Sequence, residues 1–148
     1  MKKIAILTIV LNFLLFPLNL IIAGELKVLP GNSEKHFNYK KAYFAGGCFW
    51  CMEETFDKFD GVIKTISGYS GGNLKNPTYK DVIYKDTGHV ETIEITYDPK
   101  KISYNKLLDI FWKNIDPFDK FGQFCDKGKS YRSVVFFENQ TQQKNIKK

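Results

Sequence analysis

The chain has 148 residues and a formal net charge of +6, from 22 Lys and Arg against 16 Asp and Glu. Its basic residues are scattered, whereas a nucleic-acid binder gathers them into a stripe. Aromatic residues make up 16 % of the chain, enough for a real core, and the length suits one small domain. Three cysteines, Cys48, Cys51 and Cys125, are too few and too odd in number for a disulfide framework. A Cys-x-x-Cys pair also closes too small a loop to staple a fold. Redox chemistry is the better reading.

In chain order, Lys2 and Lys3 precede an uncharged run from Ile4 to Ile22 that ends in Ala23-Gly24-Glu25. Residues 1–23 read as a secretory signal cleaved after Ala23. The alternative is an uncleaved membrane anchor, since the run is about as long as a membrane span, though Asn12, Pro17 and Asn19 interrupt it. Cleavage would leave 20 bases against 16 acids, a charge of +4. Either way the remainder is expected to be exported, to the periplasm or another extracytoplasmic space. Residues 24–39, with Pro30, Gly31, Asn32 and Ser33, read as a linker, and residues 40–148 as the domain.

Within the domain, Lys41–Ala45 reads as a strand that turns out through Gly46 and Gly47. Phe49, Met52, Phe56 and Phe59 recur at helical spacing, predicting a helix over Phe49–Phe59 that Gly61 ends. Val62–Tyr69 is a strand and Ser70-Gly71-Gly72-Asn73 a turn. Thr78–Tyr84 follows Asn76-Pro77 as one or two helical turns, and Thr87-Gly88-His89 is a turn. Val90–Tyr97 alternates cleanly as a strand. Ser103 caps a helix whose Leu107, Leu108, Phe111, Trp112 and Ile115 share a face. Asp116–Lys129 reads as an irregular loop and Ser133–Phe137 as a strand, and Asn139–Lys148 begins a helix. The order β-α-β-β-α-β predicts an α/β (α+β) fold, a ferredoxin-like two-layer sandwich with helices on one face of the sheet.

The predicted helix places Cys48 at or beside its N-terminus, where free backbone N–H groups favour negative charge. The thiolate is the nucleophile in cysteine chemistry. Cys51 lies one turn along, within disulfide reach. In the strand Val90–Tyr97, alternation puts Glu91 with Ile93, Ile95 and Tyr97 on the more apolar face. Glu91 is then either an end-of-strand carboxylate reaching water or a partly buried acid, and spacing leaves both open. Phe49 can be core or site wall, while Trp50 falls off the helix stripe and can line an apolar cup suited to a thioether. Tyr79 and Tyr131 lie in or beside loops. His89 is best read as a turn histidine, although it and His36 are the only candidates for a Cys–His pair. No metal site and no cofactor are expected, because neither metal-ligand spacing nor a second Cys-x-x-Cys is present.

Together these residues resemble type A peptide methionine sulfoxide reductase, from about Lys41 to Phe137. The resemblance rests on Gly47-Cys48-Phe49-Trp50 with Glu53 or Glu54, Gly68-Tyr69-Ser70-Gly71-Gly72, Asn76-Pro77-Thr78-Tyr79 and Thr87-Gly88-His89-Val90-Glu91. It continues in Tyr97-Asp98-Pro99, Phe111-Trp112 through Asp116-Pro117, and Asp126-Lys127-Gly128 with Tyr131-Arg132-Ser133. It implies reduction of the S epimer of methionine sulfoxide, free or in proteins, as repair after oxidation. Cys48 would be the nucleophile and Glu91 the acid. Tyr79 and Tyr131 would bind the sulfoxide oxygen, Asp126 would orient the site, and Phe49 and Trp50 would hold the methyl group. A sulfenic acid at Cys48 would be resolved as a disulfide by Cys51 or Cys125, Cys51 being preferred for its small loop. A thioredoxin-like dithiol would then reset a monomeric enzyme. The chain ends at Lys148, where members of that family continue, so a C-terminally shortened domain is expected. Two rivals use the same Cys48–Cys51 pair: a thiol–disulfide oxidoreductase and a metal-binding module.

Overall fold

The computed structural model describes residues 38–147. The expected signal at 1–23, all but the last two residues of the expected linker at 24–39, and His36 lie outside them. The described elements are β1 Lys40–Ala45, α1 Phe49–Phe56, β2 Val62–Ser70, α2 Tyr79–Tyr84, β3 Val90–Tyr97 and α3 Tyr104–Lys113. They are followed by the short β4 Gly122–Gln123 and β5 Asp126–Lys127, a 3-10 turn at Lys129–Tyr131, β6 Val134–Phe136 and α4 Gln140–Ile146. None of the described helices is long and apolar enough to cross a membrane.

Four strands form one sheet in the order β2-β3-β1-β6, with every pair antiparallel. The mixed α/β class with an antiparallel sheet is therefore as expected. Phe44, fully buried on β1, meets Phe56 of α1 at 5.6 Å and Phe111 of α3 at 5.1 Å. One side chain reaches both helices, so α1 and α3 cover the same face of the sheet. Ala42, Ile93, Ile95 and Leu107 complete the centre of that core. Polar caps set the helix starts. Ser103 Oγ accepts from Lys106 N–H at 3.1 Å, and Asn139 Oδ1 from Gln142 N–H at 3.0 Å, each satisfying an amide the helix leaves unpaired.

Three local expectations change. α1 ends at Phe56, not Phe59, yet Phe59 still packs on the core. Its N–H bonds Phe56 C=O at 3.1 Å, so a tight turn carries the apolar spacing beyond the helix. In α3, Ile110 is buried while Trp112 is half exposed. At 3.6 residues per turn, position 112 falls at the edge of the stripe made by Tyr104, Leu107, Leu108 and Phe111, and the Trp112 ring stands edge-on to Phe111 at 5.1 Å. The segment Asp116–Lys129 is not irregular throughout, because it contains the β4–β5 hairpin. Gln123 organises it: the side chain accepts from Asp116 N–H at 2.7 Å and donates to Asp116 C=O at 2.8 Å.

Candidate active site

β1 delivers the chain into Gly46-Gly47, and Gly47 takes φ +89, a left-handed conformation that disfavours any side chain. A Cβ at Gly47 would also stand 2.7 Å from Gln123 Cβ. The hairpin thus closes directly over the turn that precedes Cys48.

Cys48 is the N-cap residue of α1 and is partly exposed. Its C=O accepts the Met52 N–H at 3.2 Å, while its side chain makes no capping bond. The helix's first amide is satisfied from elsewhere: Phe49 N–H donates to Glu91 Oε2 at 3.0 Å. Glu91 is only 2 % exposed. Of the two sequence readings of this residue, the buried one is the one the fold produces. Burial holds its carboxyl above the ordinary range. The negative charge of Asp126 adds to that shift, and the Phe49 N–H opposes it. Burial thus favours the protonated form of a carboxyl that bonds the amide next to Cys48.

Aromatic rings surround this pair. Phe49 is buried and stands 5.5 Å from Trp50, 5.9 Å from Tyr69 and 6.3 Å from Tyr79. Phe49 serves as core and site wall together, while Trp50 is 68 % exposed and forms the rim. Burial, then its neighbour Tyr79, raises the pKa of Tyr131. Two phenols from distant segments are thereby neighbours.

The three thiols are free and line one cleft of about 440 Å³, together with Asp126, Phe124 and Lys113. The neighbouring Cys48 thiol is the largest cause of a raised Cys51 pKa; burial and the charges of Asp126 and Glu54 add to it. Cys125 is exposed at the turn of the β4–β5 hairpin, beside Phe124 at φ +50. Cys51, Cys125 and Asp126 thus share a cleft with Cys48, Glu91 bonds the amide next to it, and Trp50 and Tyr79 stand beside Phe49. His89 is committed to backbone at both ring nitrogens, with Gly72 and Leu74. Among the described residues, no three His, Cys, Asp or Glu side chains converge as a metal site requires.

Sequence reasoning gave no role to Tyr69 or Gln123. Tyr69 stands directly opposite Glu91 across the β2–β3 register, and only strand pairing reveals that. Gln123 is almost wholly buried against the turn that precedes Cys48. A lone glutamine in a glycine-bearing loop carries no signal for that.

The fold and the site together define a small α/β domain built around a helix-start cysteine with a buried acid behind it. The chain belongs to the peptide methionine sulfoxide reductase family, whose model matches residues 40–148. It is 50 % identical over 109 residues to the peptide methionine sulfoxide reductase MsrA of Streptococcus agalactiae serotype III, covering 74 % of this chain and 64 % of that protein. The chain therefore spans less than two thirds of that relative's length. Methionine sulfoxide reductase A of Corynebacterium diphtheriae superposes with a TM-score of 0.70 at 30 % identity, over 74 % of this chain and 53 % of that one. Reduced Mxr1 of Saccharomyces cerevisiae superposes with a TM-score of 0.69 at 31 % identity, over 74 % and 65 %.

Proposed function

We propose that this chain reduces the S epimer of methionine sulfoxide, free or within oxidised proteins, to methionine. The observation that carries the reading is the Glu91–Phe49 hydrogen bond of 3.0 Å, which holds a buried carboxyl one residue from Cys48. The Cys48 thiolate attacks the sulfoxide sulfur while Glu91 protonates the oxygen. The oxygen is passed to the cysteine, methionine departs, and Cys48 is left as a sulfenic acid. Tyr79 and Tyr131 hold the oxygen, Asp126 orients the site, and Phe49 and Trp50 cradle the methyl group. The Cys51 thiol then displaces water from the sulfenic acid to form the Cys48–Cys51 disulfide, and a dithiol reductant restores both thiols by exchange.

A thioredoxin-like reductant is the partner we assign. Mxr1, one of the similar proteins, has been solved in complex with Trx2. We also assign a monomer, since the groups read as the site all come from one chain. Residues 1–23 direct it out of the cytoplasm as signal or anchor, and N-terminal sequencing of protein from the native host should find a start near Gly24 in an extracytoplasmic fraction. Met1 intact on cytoplasmic protein overturns that assignment.

The deciding assay is turnover of resolved methionine sulfoxide epimers with dithiothreitol. Reduction of the S epimer alone is expected, and absence of turnover with both epimers overturns the reading. A thiol–disulfide oxidoreductase using the same pair would reduce neither. Mass spectrometry after one equivalent of substrate identifies the resolving thiol. A Cys48–Cys51 bond should persist in Cys125→Ser, and a Cys48–Cys125 bond formed at wild-type speed in Cys51→Ser would overturn the preference for Cys51.

A further inference from the structure

Residues 73–87 leave the sheet between β2 and β3 as one loop that carries α2. Of the six residues of α2, only Val82 is buried, so apolar packing does little to place it. At its far end the Lys129–Asp86 pair, 2.5 Å long, is largely exposed, and Lys85, which pairs with Asp81 of the first turn, is exposed too. Such pairs hold little in water. Yet the first residue of α2 is Tyr79, which must meet Phe49 and the Tyr131 hydroxyl closely.

A capping box between Thr78 and Asp81 fixes the first turn of α2, and what ties the loop to the sheet is its stem. Asn73 N–H donates to Thr87 C=O at 3.3 Å. Beneath it, the buried ring of His89 accepts from Gly72 N–H at Nδ1, at 3.2 Å. That bond leaves the ring proton on Nε2, which donates to Leu74 C=O at 2.9 Å. The His89 N–H itself donates to Thr87 Oγ1 at 3.2 Å. The fit is close: a Cβ on Gly72 would stand 2.4 Å from His89 Cδ2 and 2.4 Å from Thr87 O.

We propose that His89 is a positioning residue: its imidazole, protonated at Nε2, splints the stem of loop 73–87 and thereby sets Tyr79 against Phe49 and Tyr131. The inference rests on the reading of Tyr79 as a ligand of the sulfoxide oxygen. The imidazole presents an acceptor and a donor at two positions on one rigid ring. Asn can supply only the acceptor near Nδ1, and Gln only the donor near Nε2.

The experiment compares His89→Leu, His89→Asn, His89→Gln, Tyr79→Phe and the His89→Leu/Tyr79→Phe double variant. Amide hydrogen exchange over residues 72–87 reads the stem without substrate. Single-turnover reduction reads the site. In His89→Leu the stem amides should lose protection and kcat/KM should fall about tenfold or more, the scale of a small misplacement of a site group. Asn and Gln should each restore part of both. The double variant should be little worse than Tyr79→Phe alone, because residues acting through one another are not additive. Unchanged stem exchange in His89→Leu overturns the proposal, as does a double variant in which the two losses multiply. If His89→Leu fails to fold, Asn and Gln variants with wild-type exchange and rates overturn it equally. A wild-type chain that turns over no sulfoxide refutes the reductase reading alone, since the exchange measurement still decides the splint.

Discussion

The proposed nucleophile, Cys48, and the proposed acid, Glu91, are held differently from the groups assigned around them. Cys48 and Glu91 sit at the ends of α1 and β3, whose Phe49, Met52, Phe56, Ile93 and Ile95 are all buried in one core. Tyr79, Cys125 and Tyr131 ride on segments held by polar contacts near the surface. The first pair is placed by apolar burial, which is strong and shared among many residues. The second group is placed by a few hydrogen bonds and exposed ion pairs, each weak alone. Damage to the core should therefore unfold the chain, whereas damage to the loops should detune the site and leave the fold standing.

Cys48→Ser gives the largest expected effect. Reduction of methionine sulfoxide should vanish in single-turnover assays while circular dichroism stays that of wild type, because a serine hydroxyl is a weak nucleophile at neutral pH. Comparable turnover by the serine variant would sink the assignment.

Phe44→Ala tests the core side of the comparison. Loss of a fully buried ring that touches α1 and α3 should reduce unfolding free energy by about 3–5 kcal/mol in urea titration. A loss below about 1 kcal/mol would show that the core does not carry the placement of Cys48.

Glu91→Gln should slow sulfenic acid formation about 10²-fold, the usual scale for acid catalysis. Because the Glu91 carboxyl is raised by burial, the wild-type rate should fall as pH rises through that raised value, and the Gln variant should lack this limb. Stability has the same sign. The folded chain keeps the proton where the unfolded chain has released it, so stability is full below the unfolded value and is lost as pH rises through the folded one. Glu91→Gln should therefore be more stable than wild type at neutral pH, with the difference closing in acid. Flat wild-type profiles of both rate and stability would leave Glu91 as a structural carboxylate.

Lys129→Ala gives the smallest effect. The Lys129–Asp86 pair joins the segments bearing Tyr79 and Tyr131 but is mostly exposed, so its removal should lower stability by less than about 1 kcal/mol. A fall of several-fold in kcat/KM at unchanged melting temperature would show that this pair helps place the phenols. A larger stability loss would mean the loops are anchored more firmly than the comparison holds.

Much of this was legible in the chain because the signals are local. The spacing of Phe49, Met52 and Phe56 places Cys48 at a helix start. The alternation in Val90–Tyr97 puts Glu91 with Ile93 and Ile95, and Ser103 marks the start of α3. Each depends only on backbone periodicity or on a cap three residues away. The shared face of Trp112 was misjudged because a stripe's edge depends on what packs against it. The hairpin inside Asp116–Lys129 was missed because Gln123, which folds it, is a polar residue whose burial no pattern announces.

By itself, then, the sequence determined most of the longer elements, the cysteine at a helix start and the parity that groups Glu91 with Ile93 and Ile95, since these follow from bond geometry over a few residues. Only the tertiary structure decided that the Glu91 carboxyl meets the Phe49 N–H across 42 residues, that Tyr69 stands opposite it, and that Tyr79 and Tyr131 are neighbours. It also decided that three thiols line one cleft and that His89 closes a loop stem. Those contacts exist because the antiparallel sheet brings distant segments into one register, and register is set by burying one face of the whole sheet.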